Sequence, residues 1–114
     1  MKINKKVIEK ILCALYFIMI KEEKEMLLKV DNNNEKVLYE KYKELFDKYT
    51  EIKNNLKGEL YEVEEYDKFI ILGALKVVSC EIRLLNYFNF DKELGCKYNK
   101  LIDEFNIIIK SFEI

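Results

Sequence analysis

Proline is absent from this chain of 114 residues, and glycine occurs only at positions 58, 73 and 95. Proline and glycine are the residues that end helices and form tight turns, so their scarcity predicts few turns and long uninterrupted elements. A sheet protein of this length would need many turn residues. Lys, Glu, Leu and Ile are abundant, and these residues mostly favour helix. The sequence therefore predicts an all-α fold, and its length predicts a single domain over residues 1–114.

Two short polar segments divide the chain most clearly. Residues 31–34 read Asp-Asn-Asn-Asn and residues 89–91 read Asn-Phe-Asp, and both Asn and Asp favour turns and cap helices. Gly58 marks a third break, because glycine commonly follows the last residue of a helix. Similar lengths and short connections are typical of a four-helix antiparallel bundle with up-down-up-down order. The predicted helices cover about residues 4–30, 35–57, 67–88 and 91–112.

The second and fourth predicted helices share one apolar pattern. Their apolar residues recur at 4-3-4-3-4 spacing and form a narrow seam that Lys and Glu surround, which is typical of outer helices in a bundle. The first and third helices are apolar over most of their circumference and are predicted to be the inner pair. Such helices carry more apolar surface than one small bundle covers, so we expect a homodimer through helix 1 or helix 3. The two seams are Leu38, Tyr42, Leu45, Tyr49, Ile52 and Leu56, and Leu94, Tyr98, Leu101, Phe105, Ile108 and Phe112.

The residue types that most catalytic motifs require are missing. Histidine is absent, which excludes Ser-His-Asp and Cys-His catalysis and the Glu-x-x-His pattern of di-iron bundles. There is no glycine-rich loop to hold a phosphate. Cys13, Cys80 and Cys96 are widely spaced, so they predict neither a zinc site nor a disulfide framework, and we expect them to be small core residues. The sequence therefore predicts no enzyme, no cofactor and no metal, although a site made only of carboxylates is the enzymatic alternative.

Charge and hydropathy bear on partners and location. The formal net charge is −1, whereas dedicated nucleic-acid binders usually have a strong basic excess. The apolar run at residues 11–20 is too short to span a bilayer, and a charged segment rather than a signal-peptide cleavage site follows it at residues 21–25. We therefore expect a cytoplasmic protein with no membrane association, and the free cysteines suit that reducing compartment.

An acidic stretch with two tyrosines, residues 59–67, is the most unusual surface segment. It is either a contact for a basic partner, such as a protein groove that normally holds nucleic acid, or a solvated loop whose carboxylates favour the start of the next helix. Arg83 is the only arginine. Its planar guanidinium group, which can donate two parallel hydrogen bonds, suits an interface contact or an internal ion pair with an acidic residue of a neighbouring helix. The candidate partner-binding residues are Glu59, Tyr61, Glu62, Glu64, Glu65, Tyr66, Asp67 and Arg83.

These observations favour a small non-enzymatic module that binds another protein stoichiometrically. Phage anti-defence inhibitors of the anti-CRISPR kind and immunity-type proteins have this general profile, which is an analogy of size and class and not of motif. One alternative is a nucleic-acid-associated regulator that uses Lys2, Lys5, Lys6 and Lys10 to contact phosphates. Another is a bundle that binds a small molecule or lipid in an aromatic interior.

Overall fold

A computed structural model describes residues 1–113 as four helices and two very short strands. The helices pack against each other in an all-α antiparallel bundle, as the sequence predicts. The helix starts at residues 5 and 92 are capped by Asn4 and Asp91, whose side chains accept hydrogen bonds from backbone N–H groups of the first turn. The helices are α1 (Lys5–Leu28), α2 (Asn33–Asn55), α3 (Glu65–Tyr87) and α4 (Lys92–Phe112), and the strands are β1 (Lys2–Ile3) and β2 (Tyr61–Glu62).

The bundle consists of two helical hairpins, α1–α2 and α3–α4, which contact each other mainly through α1 and α3. These two helices therefore take the inner positions that their sequence predicts. In the first hairpin the second half of α2 lies beside the start of α1, and Lys48 in that half pairs with Asp67 at the start of α3. Further along both helices, Lys21 of α1 pairs with Glu81 of α3. Helices α1 and α3 therefore begin at the same end of the molecule. The overall extents are 39 × 39 × 26 Å.

The shared core lies at the open ends of the hairpins, away from their connecting loops. It takes residues from the first two thirds of α1, the second half of α2, most of α3 and the second half of α4. The seam residues nearest the loops, Leu38 and Leu94, stay exposed. The largest fully buried side chains are Tyr49, Phe105, Phe112, Ile8, Ile11, Leu15, Ile71, Leu75 and Val78.

The small antiparallel ladder between β1 and β2 was not predicted. Lys2 is paired with Glu62 and Ile3 with Tyr61, and the backbone N–H of Val63 donates to the carbonyl of Met1 at 2.8 Å. Two-residue strands have no periodicity to recognise, and their pairing depends on the fold that brings the chain start to the linker before α3. The ladder seals the open end of the core, because Ile3 and Val63 are both buried.

The prediction that the three cysteines are core residues is wrong. Cys13, Cys80 and Cys96 are all free and exposed. Cys80 shows the reason, because on a helix it points about 200° away from the buried Val78 and Ile82, each two residues distant. Residue type alone does not decide which face of a helix a side chain occupies. Among residues 1–113, no helix is long and apolar enough to cross a membrane.

Candidate functional site

Part of the acidic stretch belongs to a polar cluster between α2 and α3. Asp67 is only 4% exposed. Its Oδ2 accepts hydrogen bonds from Lys48 Nζ at 2.6 Å and from the Tyr49 hydroxyl at 3.2 Å. The carboxylate of Glu64 lies 3.2 Å from the same Nζ. The cluster therefore joins the second half of α2 to the first turn of α3.

The protonation states of this cluster suit a structural link. Burial, and then the neighbouring charge of Asp67, raises the pKa of the Tyr49 phenol far above its usual range, so it stays protonated and donates. Burial alone would lower the pKa of Lys48, but the hydrogen bonds to Asp67 and Glu64 outweigh it and the pKa is raised. Both donors keep their protons around neutral pH, so the cluster acts as a clamp rather than as an acid–base pair.

Several other side chains of the stretch also have partners within the chain. Glu62 accepts from the N-terminal ammonium at 2.8 Å, and this hydrogen bond lowers its pKa. The Tyr66 hydroxyl accepts from Lys41 Nζ at 2.9 Å. The ring of Tyr61 lies edge-on to Tyr49 at 5.7 Å. Glu59 and Glu65 are exposed, and Glu59 borders a surface pocket of about 410 Å³ beside Tyr61. Much of the stretch thus serves the fold.

Arg83 lies apart from the acidic stretch. It follows Asp67 by 16 residues on α3, which is about 24 Å along a helix. Its Nη2 donates to Oδ1 of Asn106 on α4 at 3.2 Å, at the surface. The neighbour on the adjacent helix is thus an amide rather than the carboxylate that one interpretation of Arg83 expected.

A row of exposed side chains on α3 was not among the predicted site residues. This outer stripe is opposite the buried face of α3, since its members sit about half a turn of the helix away from Ile71, Leu75 and Val78. Phe69 and Tyr87 are each 81% exposed. The apolar excess of helix 3 was the available signal, but periodicity does not say which of two apolar faces the chain covers. The outer stripe consists of Tyr66, Phe69, Gly73, Val77, Cys80, Leu84 and Tyr87.

Both hairpin loops also carry exposed apolar side chains. The ion pair between Lys21 and Glu81, 3.0 Å between Nζ and Oε1, joins α1 to α3, and each hairpin continues about 10 Å beyond it at 1.5 Å per residue. At the α1–α2 loop the exposed residues are Leu27, Leu28, Val30, Val37 and Leu38. At the α3–α4 loop they are Leu85, Phe88, Phe90 and Leu94, which we call the aromatic tip.

A second pocket, of about 440 Å³, lies between α1 and α4 and collects three lysines. Lys6, Lys10 and Lys100 line it together with Glu104. The hydrogen bond from Lys10, followed by the charges of Lys10, Lys100 and Lys6, lowers the pKa of Glu104. The structure thus adds Lys100 to the amino-terminal lysines that the sequence suggested as phosphate contacts.

No family model, curated protein or solved structure matches this chain. A search of residues 1–113 also finds no group of three or more Cys, Asp or Glu side chains placed to hold a metal ion.

Proposed function

We propose that the protein is a non-enzymatic module that binds another protein stoichiometrically, and that the aromatic tip is its contact. The observation that carries this proposal is an exposed aromatic loop on a well-braced hairpin. Phe90 is 98% exposed and Phe88 is 66% exposed. Exposed aromatic side chains are typical anchors of protein interfaces, where they fill apolar pockets of the partner.

The aromatic tip is braced by hydrogen bonds within the loop. The Asn89 side chain donates to the carbonyl of Asp91 at 2.7 Å and accepts from its N–H at 3.2 Å. The Asp91 side chain in turn caps α4. Gly95 lies beside this arrangement, because a Cβ there would make ordinary van der Waals contact with the Asn89 amide nitrogen at 3.4 Å. A loop that is ordered before binding loses less conformational entropy on binding, which favours a functional role for the exposed rings.

The surroundings of the aromatic tip indicate the chemistry of the partner. Asn86 and Asn89 flank the rings, and Asp91, Lys92 and Glu93 together have a net charge of only −1. We expect the partner to offer an apolar pocket with a polar rim rather than a strongly charged groove. An anti-defence or immunity-type protein would use such a contact to occupy a surface of the larger assembly that it inhibits. The free, exposed cysteines fit the expected reducing cytoplasm.

A nucleic-acid-associated regulator is the second candidate, because the lysine pocket between α1 and α4 collects Lys6, Lys10 and Lys100. Its test is retention on duplex DNA at low salt. Binding that weakens steeply with salt and is lost in Lys6→Ala/Lys100→Ala would favour it over the protein-binding proposal.

Affinity purification from the source cell, followed by binding of the purified partner, tests the proposal. The bait is the intact chain, the variant Phe88→Ser/Phe90→Ser, or the control Ile107→Ser, which changes an exposed apolar residue of α4 away from the tip. We expect one partner to be retained by the wild type and the control, lost by the tip variant, and bound at a fixed ratio in calorimetry. A partner that the tip variant retains equally well would overturn the role of the aromatic tip.

A further inference from the structure

The outer stripe of α3 has a size pattern that reads the same in both directions. Large side chains stand at both ends and small ones near the middle. The positions are symmetric about a point between Lys76 and Val77, because 66 and 87, 69 and 84, and 73 and 80 are equally far from it. The matching pairs are Tyr66 with Tyr87, Phe69 with Leu84, and Gly73 with Cys80.

Gly73 is unexpected in the middle of an exposed helix face. Glycine in a helix interior lowers stability by about 1 kcal/mol relative to alanine. Within the described part of the chain nothing explains it, because a Cβ at position 73 would meet no atom within 4 Å. Small residues on a helix face let a second helix backbone approach closely, so Gly73 indicates a neighbour from outside this chain.

We propose that a second copy of the chain packs antiparallel on the outer stripe, related by a two-fold axis that passes between Lys76 and Val77 of each copy. Tyr66 of one copy then faces Tyr87 of the other, Phe69 faces Leu84, and Gly73 faces Cys80. Large side chains meet at the ends and the helices approach closest at the centre. The same patch serves both copies, as two-fold symmetry requires.

The area of the outer stripe suits a dimer. Tyr66, Phe69, Leu84 and Tyr87 are all more than half exposed. At about 150–250 Å² for each large side chain, these four leave roughly 400–700 Å² open in each copy. A pair that covers all of this area would bury at most roughly 800–1,400 Å² from these four side chains, which is at or above the size of most crystal-packing contacts and reaches the lower part of the standard interface range. Val77 and Cys80 add to this area.

The charged groups of α3 are compatible with the antiparallel direction. Lys76 is held toward α4 by Glu113 at 2.9 Å, and Arg83 by Asn106, so both cations stand on one border of the outer stripe. In the antiparallel pair the same border of each copy meets, so the two Lys76 side chains come near the axis, each with Glu113 of its own copy as its counter-ion. The antiparallel pair brings the Arg83 end of one copy toward the acidic start of α3 in the other, where Glu65 lies on the same border.

The dimer would make the proposed partner binding bivalent, a consequence that rests on the proposed function. Phe88 lies between 11 and 12 residues from the axis, so the two aromatic tips would stand on the order of 35 Å apart along the paired helices. A partner with repeated pockets, or an assembly of identical subunits, would then bind with a gain in avidity.

Solution mass tests the dimer independently of any partner. We expect light scattering at 100–200 µM, a range set by roughly micromolar affinity, to give twice the chain mass of 13.8 kDa. Phe69→Glu and Gly73→Leu should each give the chain mass with unchanged helical content, and Ile107→Glu should remain dimeric. A wild-type mass of one chain across this range would overturn the proposal. Phe69→Glu keeps the aromatic tip, so loss of the dimer with retention of the partner would separate the two proposals.

Disulfide trapping tests the direction of pairing. In a Cys13→Ser/Cys96→Ser background, Gly73→Cys should give an oxidised dimer through Cys80 of the other copy, because antiparallel pairing places these positions face to face. The same background without Gly73→Cys should stay uncrosslinked, since two copies of Cys80 would be about 10 Å apart along the helix. Efficient crosslinking through Cys80 alone would overturn the antiparallel register and favour a parallel pair.

Discussion

The two faces of α3 are both apolar, but they differ greatly in solvent exposure. Ile71, Leu75 and Val78 on the inner face are at most 2% exposed, whereas Phe69 and Leu84 on the outer stripe are more than half exposed. Both faces follow the three- and four-residue spacing of a helix. The difference arises because α1 and α4 occupy one side of α3. The spacing of apolar residues thus identifies the apolar faces of a helix. The topology decides which of these faces other helices of the same chain bury.

This difference separates two kinds of energetic contribution. The inner face removes apolar side chains from water when the chain folds, so substitutions there change the free energy of unfolding. The outer stripe stays in contact with water in the folded monomer, so substitutions there should change association instead. Stability measurements on the monomer therefore belong in the Phe69→Glu background, where dimerisation does not contribute.

The largest expected effect is at the centre of the inner face. Leu75 is fully buried, and Leu75→Ala should lower the free energy of unfolding by about 2–5 kcal/mol, because it removes buried methyl groups and leaves a cavity. Leu84→Ala is the matched control on the outer stripe, and it should change stability by less than about 0.5 kcal/mol. Urea denaturation of both variants measures this. Equal losses at the two positions would show that the faces are not as different as their exposure indicates.

The clamp at the start of α3 should give the next largest effect. Asp67→Ala removes the acceptor for Lys48 and Tyr49, and a buried donor without an acceptor costs on the order of 1–3 kcal/mol. Glu65→Ala, an exposed acidic residue of the same turn, is the control and should be nearly neutral. Thermal unfolding followed by circular dichroism compares them. If Asp67→Ala were as stable as its control, the cluster would not be a clamp.

A smaller effect of opposite sign is expected on the outer stripe. Gly73→Ala should raise the stability of the monomer by up to about 1 kcal/mol, because alanine is a better helix former and its Cβ meets no atom within 4 Å. Gly95→Ala is a control in the first turn of α4, where helix propensity counts for less than in the helix interior, and its new Cβ makes only ordinary van der Waals contact with Asn89 and Asn86 at 3.4 and 3.5 Å, so its gain should be smaller. A loss of stability at Gly73 would mean that this chain itself covers the stripe.

Local pattern predicted the helices well because each one is long and strongly periodic. The ladder of Ile3 with Tyr61 depends on a contact across the fold, and the outward direction of Cys80 depends on which helices neighbour α3. The same reasoning applies to the candidate site. The sequence alone identified the acidic stretch from its composition. Which of its residues are buried, such as Asp67, and which are exposed, such as Glu59, depends on where α2 lies. The role of these residues in partner binding stays a prediction.

Glu22 of α1 shows the opposite mismatch to the outer stripe, because it is an ionisable side chain that is partly buried. Its Oε2 is buried and makes no hydrogen bond within the described residues. Burial, followed by the charges of Glu25 and Glu35, raises the pKa of Glu22. An acid whose pKa is raised by folding is destabilising when ionised, so stability falls as the pH rises through that pKa. Glu22→Gln should therefore stabilise the monomer near neutral pH by less than about 1 kcal/mol.

The pH dependence identifies the cause of that gain. The stabilisation by Glu22→Gln should be complete above the raised pKa and should disappear as the pH falls through it toward the ordinary value of 4.5, because the wild-type carboxyl is then protonated in the folded state as well. Glu23→Gln, at an exposed neighbour on the same helix, removes the same charge and is the matched control. Urea denaturation at a series of pH values measures both variants. A gain that persists below pH 4 would point to helix propensity rather than burial, because relief of an ionised carboxylate no longer operates there.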